Sequence, residues 1–147
     1  MQTYGDFEAR VRESFGRQNM MAELGVTIAS VGAGEVVFEM PFQPRFTQQH
    51  GFLHAGAISS VLDSAAGFAA LSVMPEEAGV LTIEMKISLM RVAKAPAFRF
   101  VGRVVKPGRT VVFAEAVAYG LEDGAETEVA RLTASMMVVS GRAGVVG

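Results

Sequence analysis

One stretch, Ala55 to Leu71, has the length and spacing of a long helix, and nearly everything after it has the two-residue period of strands. In the helix, Ile58, Val61, Leu62, Ala65 and Phe68 or Ala69 recur at i, i+3, i+4 and i+7, giving one apolar face. The other face carries only Gly56, Ser59, Ser60, Asp63, Gly67 and Ala70. A helical glycine costs about 1 kcal/mol relative to alanine, so a face this small serves close approach by another helix or by a ligand. Downstream, Leu81, Ile83, Met85, Ile87 and Leu89 alternate with Thr82, Glu84, Lys86 and Ser88, the pattern of a half-buried strand. Further strands are expected over residues 97–105, 110–121 and 126–139, the last with Ala130, Leu132, Ala134, Met136 and Val138 on one face. Lys106-Pro107-Gly108-Arg109 places Pro and Gly for a type II turn, and Asp123-Gly124 marks another turn. Strands joined by short turns form an antiparallel sheet, and an apolar helix face cannot be left to water. A sheet wrapped around one helix is the economical packing, an α+β architecture.

Upstream, Phe7, Val11, Phe15 and Met20 or Met21 predict one amphipathic helix from residue 5 to about 21, ended by Gly25. Residues 26–31 and 35–40 read as two strands around Gly32-Ala33-Gly34, after which Pro41 and Pro44 open a loop to His54. The chain has 147 residues, room for a single domain over 1–147. Half of it is hydrophobic, enough for a core with apolar surface left for a subunit interface. No run reaches the roughly 18 apolar residues of a membrane span, and no membrane association is expected. The first residues lack the basic and apolar regions of a secretory signal, so a cytoplasmic location is expected. The absence of cysteine excludes disulfides, thiolate zinc sites and cysteine nucleophiles. His50 and His54 are the only histidines, too few for a zinc site, so no metal is expected.

The net charge is −2, yet its distribution is uneven. No acid lies between Glu84 and Glu115, while Lys86, Arg91, Lys94, Arg99, Arg103, Lys106 and Arg109 all do, seven of the thirteen basic side chains. Such a run either meets a phosphorylated ligand or pairs with acids supplied by the fold. Nucleic acid is a poor fit to a slightly acidic chain without a binding motif.

Chemistry concentrates in Gln48-Gln49-His50-Gly51-Phe52-Leu53-His54-Ala55-Gly56, followed by Asp63. This is a polar loop running into a helix N-terminus, where the first N–H groups lack internal partners and sit at the positive end of the dipole. Such N–H groups suit an oxyanion developing on a carbonyl. Gln48 adds an amide able to orient a carbonyl or a water. Asp63 is the only ionisable residue of the helix, on its small-residue face, where a carboxylate serves as nucleophile or general base.

The segment resembles the signature of the PaaI-type acyl-CoA thioesterases, a hotdog-fold family whose pattern is Asn or Gln, then x-x-G-x-x-H-G-G, then an Asp or Glu along the helix. The matching positions are Gln48, Gly51, His54, Gly56 and Asp63, with Ala55 where the family has glycine. Gln48 with a carboxylate fifteen residues on is also similar to one branch of 4-hydroxybenzoyl-CoA thioesterases, and Met21 to Gly25 and Gly79 to Met90 read like the family too. The resemblance implies a hotdog fold, an antiparallel sheet wrapped around one long central helix. It further implies hydrolysis of an acyl-CoA, with coenzyme A as part of the substrate and no separate cofactor. Asp63 then attacks the thioester or activates water, the Ala55 N–H binds the oxyanion with Gly56 beside it, and Gln48 positions water or carbonyl. His54 orders the loop and helix start, Gly51 shapes the substrate loop, and Thr82 matches a Ser/Thr that supports the water. Strand parity sets Thr82 on the Glu84 and Lys86 face, so that role needs a bulge or a dimer seam. Arg91, Arg103 and Arg109 are the cations expected to hold the coenzyme A phosphates.

Ala55 and Asp63 are eight residues apart, about 12 Å along a helix at about 1.5 Å per residue. Both groups must reach one reacting carbon, so the site is expected to be shared across a homodimer, alone or in a dimer of dimers. Two other functions are compatible with the same fold: a hydratase or dehydratase using His54 and Asp63, and a non-catalytic acyl-CoA-binding domain.

Overall fold

The computed structural model describes residues 1–147. The N-terminal helical region is two helices, α1 (Phe7–Gly16) and α2 (Asn19–Glu23), followed by β1 (Thr27–Gly32) and β2 (Glu35–Pro41). A 3-10 turn at Pro44–Phe46 leads to the long helix α3 (Ala55–Leu71). Four strands complete the chain: β3 (Gly79–Leu89), β4 (Ala97–Lys106), β5 (Val111–Glu122) and β6 (Ala125–Val139). They form one antiparallel sheet of order β1-β2-β4-β5-β6-β3, with α3 packed on β4, β5, β3, β2 and β6. This is the sheet around one helix expected from the helix and strand pattern, and the hotdog fold that the resemblance implies.

The apolar face of α3 is the centre of the core. Ile58, Val61, Leu62, Ala65 and Phe68 are buried, as are Phe38, Phe98, Phe100, Leu132 and Met136 from the strands. Truncating a side chain such as Leu62 to alanine would cost about 2–5 kcal/mol. Gly102 sets the closeness of helix and sheet, since a methyl group there would lie 2.1 Å from the Ala65 carbonyl oxygen. Arg10, on α1, closes the other end of the helix by donating to the carbonyls of Leu71, Met74 and Pro75 at 2.6, 2.8 and 2.8 Å. A cation on these carbonyls also meets the negative end of the helix dipole. Burial lowers the Arg10 pKa from the ordinary arginine value, with Glu76 and Glu77 opposing.

Three expectations need correction. The single N-terminal helix is broken at Arg17-Gln18, where the Gln18 backbone is extended (φ −84, ψ 98). The Pro107-Gly108 connection is not type II, because Gly108 lacks the positive φ that turn requires. Gly108 is there for room: a Cβ would lie 2.2 Å from the Val111 carbonyl oxygen. Asp123-Gly124, by contrast, has both residues at positive φ (50 and 77), the type I′ geometry that suits a two-residue hairpin.

The third correction concerns β3. Its five apolar residues do not share a face, because the register with β6 slips between Thr82 and Glu84 and leaves Ile83 as the extra residue of a bulge. Thr82 therefore pairs with buried Met136, while Met85, Ile87 and Leu89 pair with Ala134, Leu132 and Ala130, so all four point toward the helix side. Leu81 is turned to the outer face beside Met137. The strand is also not half-buried in one chain: Leu81, Ile83, Met85 and Leu89 are 44, 52, 46 and 54% exposed at the open edge of the sheet.

Of the seven cations in the basic run, two find acids supplied by the fold. Arg99 pairs with Glu126, and Arg103 Nε lies 2.7 Å from Glu35 Oε2. The hydrogen bond to Glu35 raises the Arg103 pKa above its ordinary value.

Candidate active site

The loop before α3 is a small closed turn. Thr47 bridges Leu53, the Gln48 N–H donates to Phe52, and the Gly51 N–H donates to Gln48. Gly51 has φ 81, a left-handed conformation that glycine adopts without strain. The side chain of Gln48 helps to fix this loop, its Oε1 accepting from the His50 N–H at 2.6 Å. That leaves the Nε2 group as the free end of the amide.

His54 is the N-cap of α3 and does what Ser or Asp usually does there. Its Nδ1 accepts from the Gly56 N–H at 2.8 Å, and its carbonyl accepts from Ala57 and Ile58. An accepting Nδ1 requires an unprotonated nitrogen, so the cap exists only with a neutral ring. Of the first N–H groups of the helix, Ala55 alone has no acceptor in the chain. Gly56, expected beside it as a second donor, is engaged by His54. Ala55 lines a cavity of about 260 Å³ together with Gln48, His54, Leu89 and Arg91.

Asp63 lies two turns further along α3, in a different cavity of about 310 Å³. The bulge in β3 brings Thr82 to it, and Thr82 Oγ1 donates to Asp63 Oδ1 at 2.7 Å. The same hydroxyl lies 3.3 Å from Met136 Sδ. Asp63 Oδ2 accepts nothing from the chain, so one carboxylate oxygen is held and the other is open to the cavity. The remaining lining is Gln18, Ser64, Gly67, Phe68, Val80 and Leu81. Gln18 was not foreseen from sequence. Nothing in Phe15-Gly16-Arg17-Gln18 marks it, and only the helix break turns it toward α3.

One chain thus holds two separate groups of candidate residues. Gln48, Gly51, His54, Ala55, Gly56 and Arg91 gather at the N-terminus of α3, and Asp63 with Thr82 at its middle. Arg103 and Arg109 join neither: Arg103 is on the outer sheet face with Glu35, and Arg109 is exposed in the β4–β5 connection.

A six-stranded sheet around one helix, with a carboxylate on the helix and an open N–H at its start, defines a hotdog thioesterase fold. The family model of the thioesterase superfamily matches residues 50–126, and the chain belongs to that superfamily. A thioesterase family protein from Silicibacter pomeroyi has 49% identity and a TM-score of 0.90, over 92% of this chain and 99% of that one. The PaaI protein of Escherichia coli, from its phenylacetic acid degradation operon, shares the fold at 17% identity, with a TM-score of 0.82 over 92% of this chain and 94% of that one. A Saccharolobus solfataricus protein provisionally classed as an esterase is 34% identical over 63% of this chain and 65% of its own length. Thioester hydrolysis is the chemical class these relationships support. No helix is long and apolar enough to cross a membrane.

Proposed function

We propose that this protein hydrolyses acyl-CoA thioesters at sites formed between two copies of the chain. The observation that carries the reading is Asp63, half-buried on the small-residue face, with one oxygen held by Thr82 and the other facing a cavity. A carboxylate so placed attacks a thioester carbonyl or takes a proton from water. The open Ala55 N–H, supported by the helix dipole, stabilises the oxyanion as the C–S bond breaks. The products are the free acid and coenzyme A, and no further cofactor takes part. Gln48 positions water or carbonyl through its free Nε2 group. Arg91 is the cation best placed to meet the phosphates, since it lines the Ala55 cavity.

The two groups are half-sites, completed by pairing. A long apolar edge strand left open invites association, and β3 is such a strand. Two β3 strands joined about a two-fold axis extend the sheet and lay two α3 helices side by side in opposite directions. Asp63 of one subunit then approaches Ala55 of its partner. A panel of acyl-CoAs, read by released thiol, tests the activity, and the absence of cysteine keeps the background low. Turnover by the wild-type protein but not by Asp63→Asn is the expected result. Tight binding of every acyl-CoA without turnover would make this an acyl-CoA-binding domain instead.

A further inference from the structure

Gln18 and Ser64 meet across 46 residues of sequence, at one wall of the Asp63 cavity. Ser59 and Ser60 of α3 turn their hydroxyls back to the carbonyls of Ala55 and Gly56, four residues earlier. Ser64 does not. Its Oγ donates outward to Gln18 Oε1 at 2.9 Å. Gln18 is the N-cap of α2, yet its side chain makes no cap bond and is directed to α3 instead. With Oε1 occupied, the Nε2 group keeps two N–H donors that no atom of the chain accepts. Gly67, where a Cβ would find no atom within 4 Å, and Phe68, whose ring meets Phe15 and Phe38 edge-on, also line the cavity. The cavity has a volume of about 310 Å³.

We propose that this cavity is the acyl subsite, and that the free amide of Gln18 selects acyl groups bearing a hydroxyl or oxo oxygen at their far end. The proposal rests on the thioesterase reading and names its substrate class. A donor pair facing a small cavity is left without a partner when an unsubstituted chain excludes water from it. A terminal oxygen restores that partner.

The test compares acyl-CoAs of four, six and eight carbons carrying an oxo group on the carbon next to the chain end, an oxygen that only accepts, with their unsubstituted counterparts. Catalytic efficiency is read from released thiol. Affinity is read by calorimetry on an Asp63→Asn background, which needs no turnover. At the chain length that reaches Gln18, the oxo thioester should be preferred by about fivefold to tenfold, the worth of one added hydrogen bond. Gln18→Leu and Gln18→Glu should each bring the ratio to about one. Gln18→Glu keeps an oxygen for Ser64, so the same loss in both variants separates recognition from anchoring of the N-terminal segment. No preference at any length, in rate and in affinity, overturns the subsite while leaving hydrolysis intact. An affinity preference lost in Gln18→Glu, without turnover of any thioester, keeps the subsite and overturns the thioesterase reading. Failure to bind any of the thioesters overturns both.

Discussion

Thr82 Oγ1 donates to Asp63 Oδ1 across 2.7 Å, tying the middle of the central helix to the edge strand. The bond fixes the carboxylate without capturing its second oxygen. Asp63→Asn, which keeps the shape and removes the charge, should lower kcat by about 10² or more with little change in Tm. Thr82→Val removes only the orienting donor, and should lower kcat by about tenfold while KM moves little. Steady-state kinetics on folded variants decide this, and unchanged turnover in Asp63→Asn would remove Asp63 from the mechanism.

The separation of the two half-sites makes complementation the sharpest test of the shared site. Ala55 is the first residue of α3, its N–H has no acceptor, and His54 before it is extended (φ −60, ψ 139). All three features suit proline, so Ala55→Pro should fold while deleting the oxyanion donor. Ala55→Pro and Asp63→Asn should each be nearly inactive. Unfolded together and refolded in equal amounts, half of the dimers should be mixed, each with one intact site, restoring about a quarter of wild-type activity. A mixture that exchanges subunits and stays inactive rules out sharing.

His54 acts through the helix start, so its loss should appear first as lost stability. His54→Ala deletes the bond to the Gly56 N–H and should cost about 1 kcal/mol. His54→Asn supplies another capping oxygen and should recover most of that loss in urea or thermal unfolding. If His54→Asn regains stability but not turnover, the imidazole has a chemical role beyond the cap.

Arg91 and the β4 cations are separated by one comparison. Arg91→Ala should raise KM for acyl-CoA yet spare an acyl-pantetheine that lacks the nucleotide. The pair Arg103→Ala with Arg109→Ala should leave both KM values near wild type, because Arg103 already answers Glu35. The opposite outcome would return phosphate binding to the outer face of β4.

The central helix, the strands and the candidate site residues were legible in the sequence because each is written in local spacing. Ile58, Val61 and Leu62 share a face at any tertiary position, Asp123-Gly124 makes a hairpin turn by its own φ preferences, and Gln48, His54 and Asp63 stand at fixed intervals along one segment. The placement of Thr82 was not local. A two-residue period sent it to the wrong face, and only pairing with β6 shows the extra residue at Ile83 that turns it back to Asp63. Gln18 was invisible for a related reason, since its partner Ser64 lies 46 residues away and a helix break must aim it there. Arg99 and Arg103 looked unopposed because Glu126 and Glu35 are distant in sequence and adjacent only across strands. The sequence by itself determined which elements form and which residues can do chemistry, because backbone propensity and side-chain period act over a few residues. Only the tertiary structure decided which of them meet, because register, bulges and edge position depend on the free energy of the whole sheet.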